Sequence, residues 1–361
     1  MNGRGRKLSR WIRLGIPGLL FAGVALGAGN PHKTQDPTLT PQQSGTTERL
    51  QAVSPVNDQV VWASGTGGTY AKTTDGGETW VSQVVPGAET LEFRDVEGVS
   101  DQIAYLLASG QGTDSRIYKT EDGGATWQLQ AQNQDPNGFW DCMAFWNPTQ
   151  GLTMADSSNG RLPVLRTLDG ETWQDIGDRL PAPVAGGEFG FAASGTCVAT
   201  YGKKWAWIGT GGGAEARILA TTDQGQTWNA YATPITQGTG SSGVFSVDFR
   251  NSAHGVLGGG DFFAADVVDN FARSKDGGKT WELATNAPIP GAIFGLSYTG
   301  SAGGYPKTVV ATGPGGAAWT PDEGDTWIPL EGLEGFWAVA FASPDAGWLV
   351  GTDGRIVKIS F

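Results

Sequence analysis

Histidine and cysteine are nearly missing from this chain, with two of each in 361 residues, and the shortage removes whole classes of chemistry. His32 falls in a Pro-, Gln- and Thr-rich stretch, which leaves His254 as the one imidazole in the body of the sequence. A His-based zinc site or a Ser-His-Asp triad needs more than that, and no metal site is established. Cys142 and Cys197 both lie in apolar, strand-like runs. They could pair, but a free cysteine is a common small buried residue, and two buried thiols are the expectation. Charge is scarce too, at 17% of residues, and short on the basic side, with 24 Lys and Arg against 36 Asp and Glu. Nucleic acid and anionic membrane are therefore poor partners, whereas a cation, a basic protein face or a neutral polymer fits better. No strand–GxGxxG–helix unit occurs: Gly209, Gly211, Gly212 and Gly213 sit between strand-like runs and read as a turn, so no cofactor is expected.

Long apolar runs are limited to one. Residues 14–28 follow Arg4, Arg6, Lys7, Arg10 and Arg13 and end in the small residues Ala25, Gly27 and Ala28. That is the layout of a signal peptide over 1–29, cleaved between Gly27 and Pro31, and it predicts a secreted or periplasmic protein. Left uncleaved it would be a membrane anchor, but roughly 15 apolar residues broken by Pro17 fall short of the ~20 that span a bilayer. The leader carries five of the 24 basic residues and none of the 36 acidic ones, so the rest of the chain has a net charge of −17. No integral membrane segment remains after cleavage.

What the sequence has in excess is glycine, at 57 residues, and tryptophan, at 15, which favours tight turns between short, aromatic-rich strands. The segment TTDGGETW ending at Trp80 recurs as TEDGGATW at Trp127, TLDGETW at Trp173, TTDQGQTW at Trp228, SKDGGKTW at Trp281 and TPDEGDTW at Trp327. Spacings of 47, 46, 55, 53 and 46 residues match one four-stranded propeller blade each. After the last box, FWAVAF, GWLVG and RIVKISF supply three strands of a seventh unit with no box of its own. A propeller closes when one terminus completes a blade begun by the other, so residues 30–48 are expected to hold a linker and the closing strand, and 49–361 a single seven-bladed β-propeller. Within each box Asp75, Asp122, Asp169, Asp223, Asp276 and Asp322 can accept backbone hydrogen bonds as Asx-turns do, and glycines such as Gly77 permit positive φ. The box tryptophans bury their rings. A turn-stapling role is expected for both sets, and the box at Trp173, one residue short, must be tighter or distorted. These boxes belong on the lower rim, away from the usual binding mouth.

The six boxes resemble the Asp-box (BNR) repeat shared by sialidases, sortilin-type receptors, some xyloglucanases and the photosystem II stability/assembly factor family. The runs LEFRDV, SRIYKTEDGGATW, FWDCMAF, GEFGFAASGT, IGTGGG and SSGVFSVDFR look like a secreted bacterial branch of the assembly-factor-like propellers, often labelled oxidoreductases. The resemblance covers nearly everything after Arg49, and it implies a fold more than an activity. A sialidase should show an F-R-I-P-like motif, an arginine triad and a Tyr/Glu pair; the nearest match is Phe93-Arg94-Asp95-Val96, and no Tyr/Glu pair can be assigned. The xyloglucanases use two propellers facing one cleft, and this chain has length for one.

Aligning the first strand of each unit gives a column of Ala52, Asp95, Asp141, Ala192, Ser246, Gly295 and Ala338. Small residues suit the crowded axis. Two carboxylates in adjacent units do not, unless they are paired or bound. Asp95, Asp141, Arg94 and Glu188 are expected to converge at the upper mouth, as a structural ion pair, as a site for a metal or cationic ligand, or as the acid and base of a glycosidase. The expected function is a non-enzymatic, monomeric binding or assembly module that presents its upper face to a protein or carbohydrate partner. The alternative is a glycoside hydrolase using Asp95, Asp141 and Glu188, with Trp140 and Trp337 as sugar-stacking platforms; inner-strand packing is the plainer role for both rings.

Overall fold

The computed structural model describes residues 36–184, 186–300 and 306–361. The expected signal peptide lies outside the described residues. Short apolar runs, each ended by glycine or an Asx turn, form seven antiparallel sheets of four strands. The first strands, Leu50–Pro55, Phe93–Gly98, Trp140–Asn147, Val198–Tyr201, Ser242–Phe249, Gly295–Tyr298 and Phe336–Ser343, ring a central axis, each packed against the first strands of both neighbours. The protein is thus an all-β, seven-bladed propeller. Blades are numbered here in chain order from residue 50, and the upper face is the end where first strands begin.

The apolar core is divided into wedges, with one hydrophobic cluster between every pair of adjacent blades. Second strands are its most completely buried part. Trp62, Tyr105, Trp207 and Trp348 are fully buried at the same point of blades 1, 2, 4 and 7. A sheet buried on both faces needs such continuous apolar runs, and VWASG, AYLLA and GWLVG within AGWLVG provide them.

Closure follows the expected scheme. Thr38–Gln43 pairs antiparallel with Arg355–Ser360 as the outer strand of blade 7, in register from Thr38↔Ser360 to Gln43↔Arg355. Gln42 then ties the joint, accepting hydrogen bonds at Oε1 from Trp80 Nε1 at 3.0 Å and Trp348 Nε1 at 3.2 Å.

The boxes are hydrogen-bonded turns between third and fourth strands, on the lower face. In the first, Asp75 Oδ1 accepts from Thr79 N at 2.9 Å and from Thr73 Oγ1 at 2.7 Å, Asp75 Oδ2 accepts from Thr79 Oγ1 at 2.6 Å, and Gly77 N donates to Thr73 Oγ1 at 2.9 Å. The short box keeps the same partners one residue earlier, with Thr172 N on Asp169 Oδ1 at 2.8 Å and Gly170 N on Thr167 Oγ1 at 2.8 Å. Each box tryptophan packs toward the preceding blade: Trp127 meets Trp62 and Tyr70 edge-on, and Trp327 meets Phe271.

Candidate functional site

The channel along the axis is crossed by residues 189–197, which lead into the first strand of blade 4. Gly190 packs on the Asp141 carboxylate so closely that a β-carbon there would sit 2.6 Å from its Cγ. Ala192 O accepts from Arg94 Nη1 of blade 2 at 3.4 Å. Ser194 Oγ donates to Phe294 O of blade 6 at 2.7 Å, and Thr196 O accepts from Val247 N of blade 5 at 2.9 Å. Four blades therefore grip this segment. At its end Cys197 is bonded to Cys142 of blade 3, with Cα atoms 5.9 Å apart. The expected pair of free thiols is corrected to a disulfide: Cys142 is on the inner strand of blade 3 and Cys197 at the entry to that of blade 4, within the Cα span a disulfide needs.

The crossing segment divides the channel in two. Ala192 and Ala193 floor an upper cavity of about 390 Å³, while Ser194, Gly195 and Thr196 roof a lower one of about 240 Å³. Asp95, Glu97 and Asp248 line the lower cavity. Burial, then the nearby Glu97 charge, pushes Asp95 well above the usual carboxylate range, although Met143 N donates to its Oδ2 at 2.6 Å. Burial likewise raises Glu97 to about 8 and Asp248 to about 6. Asp248 accepts from Tyr298 N of the next blade, at 2.8 Å. Asp95 and Asp248 are thus stitches between blades, each taking a backbone N–H across the seam.

The upper cavity is different in kind. Its wall carries Arg49, Arg94, Asp141 and Asp156 among the rings of Phe139, Phe191, Phe245, Phe262 and Trp337. Arg49 lies 4.5 Å above the Trp337 ring. Arg94 grips Glu92 through Nε at 3.0 Å and Nη2 at 2.8 Å. Opposite these cations, Asp141 and Asp156 lie close enough together for each to act on the other's titration, and two carboxyls so placed favour holding one proton between them. Burial, then the Asp156 charge, drives Asp141 well upward against the pull of Arg94 and the Gly190 N–H. Asp156 is pushed up to about 7 by burial, against the opposing effect of Asp141. The pair titrates as a unit. Asp141 is 1% exposed, and its Oδ2, with Asp156 Oδ1, has no donor among the described residues. Trp337 Nε1 and Arg49 Nε have no acceptor there.

From this cavity an aromatic path runs outward. Phe191 stacks on Phe245 at 3.9 Å, Phe245 on Phe294 at 5.6 Å, and Phe294 on Phe262 at 5.5 Å. Phe263, edge-on to Phe262, is 84% exposed on the loop after the second strand of blade 5.

The inner column needs two corrections. β-bulges put Asp95 opposite Leu107, Cys142 opposite Met154, Ser246 opposite Gly258 and Ala338 opposite Val350, while Cys197 O bonds Gly209 N. The true column is Ala52, Asp95, Cys142, Cys197, Ser246, Gly295 and Ala338. Asp141 is the bulged residue, re-aimed upward, as bulges do; Ala192 belongs to the crossing segment, because blade 4 enters its first strand late. Of the candidates, Arg94, Asp141 and Trp337 meet at the upper cavity. Asp95 faces the lower one. Glu188 is fully buried in a bidentate ion pair with Arg217 and accepts from Thr210 Oγ1 at 2.6 Å. Trp140 is packed between blades 2 and 3 with Tyr105, Leu107 and Ile117. Asp156, Arg49 and the Phe262–Phe263 pair were not anticipated; two phenylalanines in the polar turn GGDFFAAD are the one overt signal.

Among the described residues no helix is long and apolar enough to cross a membrane, and no group of three or more His, Cys, Asp or Glu is placed to hold a metal ion. No family model and no curated protein matches the chain. Solved structures do. A structure described as YCF48 bound to D1 peptide has a TM-score of 0.62 at 18% identity, covering 91% of this chain and 96% of its own. The structure of U3-55K has a TM-score of 0.60 at 12% identity, over 90% and 98%. At these identities the likeness is one of fold, and it agrees with the assembly-factor-like propeller that the boxes resemble.

Proposed function

We propose that the protein is a non-enzymatic binding module that holds a segment of a partner protein in its upper mouth, and that it works as an exported monomer in the assembly or stabilisation of that partner. The observation that carries this is the upper cavity: two guanidinium groups, a carboxyl pair with buried, donorless oxygens and further unmatched polar atoms, set in aromatic walls that continue to an exposed Phe263. Preformed, mostly apolar sites with a few convergent polar groups are the usual form of a binding pocket. The similar propeller described as bound to D1 peptide supports a peptide as the class of ligand. Glycoside cleavage is not proposed. Its carboxylates must stand about 5 to 9.5 Å apart on either side of the scissile bond, whereas Asp141 lies with Asp156 in one cavity wall, Asp95 opens to the other cavity and Glu188 is neutralised by Arg217.

A displayed random-peptide library panned on residues 30–361 tests the reading. Enriched peptides are expected to lose at least about tenfold in affinity for the Phe263→Ala, Arg94→Ala double variant, as truncating anchor residues does, while that variant keeps a cooperative unfolding transition. Failure to enrich any peptide, or equal binding by that variant, would overturn the proposal.

A further inference from the structure

We infer that the Asp141–Asp156 pair is a subsite for the cationic side chain of a bound segment, an ammonium or guanidinium from lysine or arginine. The inference rests on the upper mouth being a peptide site and names one of the side chains it selects.

Two observations meet here. The bulge at Asp141 turns its carboxylate out of the sheet ladder and into the wall of the cavity, and the Gly190 backbone lies directly on it. Asp141 Oδ2 and Asp156 Oδ1 are both buried, and both lack a donor among the described residues. A proton between them answers that need for one hydrogen bond; a cation with several N–H groups answers it for both oxygens, and the face of Phe139 or Phe191 can hold its alkyl stem or its charge. The resident cations do not fill the role. Arg94 acts on Asp141 only through its field, its hydrogen bonds going to Glu92 and Ala192 O, and Arg49 lies over Trp337. Behind the pair, Glu188 is neutralised by Arg217. Below the crossing segment, Asp95 faces the other way.

Cation entry must displace the shared proton. Binding therefore strengthens as pH rises, because the group that competes for the same two oxygens is itself removed.

The test uses Nα-acetyl-lysine methylamide and its uncharged analogue Nα-acetyl-norleucine methylamide, titrated into residues 30–361 by calorimetry at pH 6 and pH 8 in buffers of differing ionisation enthalpy. The lysine probe is expected to bind, to tighten by about tenfold between the two pH values as one proton is released, and to prefer the protein over the norleucine probe. Asp156→Asn, whose amide N–H can donate to Asp141 as the shared proton does, should keep the melting temperature and lose that binding. Equal affinity for both probes, a pH-independent affinity, or full binding by Asp156→Asn overturns the inference. Peptides enriched without basic residues would do the same and leave the peptide-binding reading standing; only the absence of any peptide sinks both.

Discussion

At the scale of the residue, the box aspartates show how local chemistry is readable in advance. A carboxylate two residues after Thr or Ser and followed by Gly has its hydrogen-bond partners specified within eight positions, so the turn at Asp322 could be drawn from sequence: Asp322 accepts Thr326 N and Thr326 Oγ1, each at 2.8 Å. Asp322→Ala is expected to cost about 1 to 2 kcal/mol, the range for leaving such donors unanswered, and to leave peptide binding intact because the box lies on the lower face. Equilibrium denaturation of the variant beside a binding titration checks both halves. Asp141 was legible as unusual but not as what it is. A bulge shifts the register by one without changing the hydrophobic pattern, so a strand aligned by its apolar residues puts Asp141 where Cys142 stands. Glu188 was misplaced for another reason: its partner Arg217 is 29 residues away, and nothing local announces the pair.

At the scale of the element, repeats made the blades visible and concealed what departs from them. Each blade is the same four strands, so six boxes sufficed to place seven sheets. Residues 189–197 have no counterpart in other blades, and a periodic alignment absorbed them as an ordinary first strand. Their path across the axis depends on contacts with blades 2, 3, 5 and 6, which no single-strand pattern contains. The disulfide sets the end of this segment, closing a loop of 55 residues. The loss of that cross-link in the Cys142→Ala, Cys197→Ala double variant should lower stability by about 4 kcal/mol on the chain-entropy view. If the segment then loosens, probes of the upper and lower cavities should begin to exchange: hydrogen exchange at Ala193 and Val247 is expected to accelerate more than in the box turns. Uniform acceleration across all blades would show that the bond stabilises the ring without anchoring the crossing.

At the scale of the molecule, two sets of carboxylates oppose each other in their response to pH. The box aspartates are held low by hydrogen bonds, Asp75 at about 2, so their contribution is present above the unfolded value near 4 and is lost as pH falls through the folded one. The channel carboxylates are raised by burial, Asp248 to about 6, Asp156 to about 7 and Glu97 to about 8. The folded state then binds more protons than the unfolded, and stability falls as pH rises from ~4 through ~8. Maximal stability is expected at about pH 4 to 5, and Glu97→Gln should flatten the upper limb, melting higher than the wild type at pH 8 and little differently at pH 5. Parallel profiles would exclude Glu97 as a source of the slope. The closing strand has a consequence of another sort. Thr38 pairs with Ser360, so the ring is fastened by a contact between the two ends of the described residues, and the entropy of the whole loop is lost before that contact returns anything. Six blades can form from neighbouring segments as they appear, but the seventh cannot be complete until nearly the last residue is in place. Until then the edge of Arg355–Ser360 and the strand that will cover it are both unpaired, and the chain is most exposed to a second copy of itself supplying the missing strand. The fastening that closes the finished ring makes its assembly an event decided at the end.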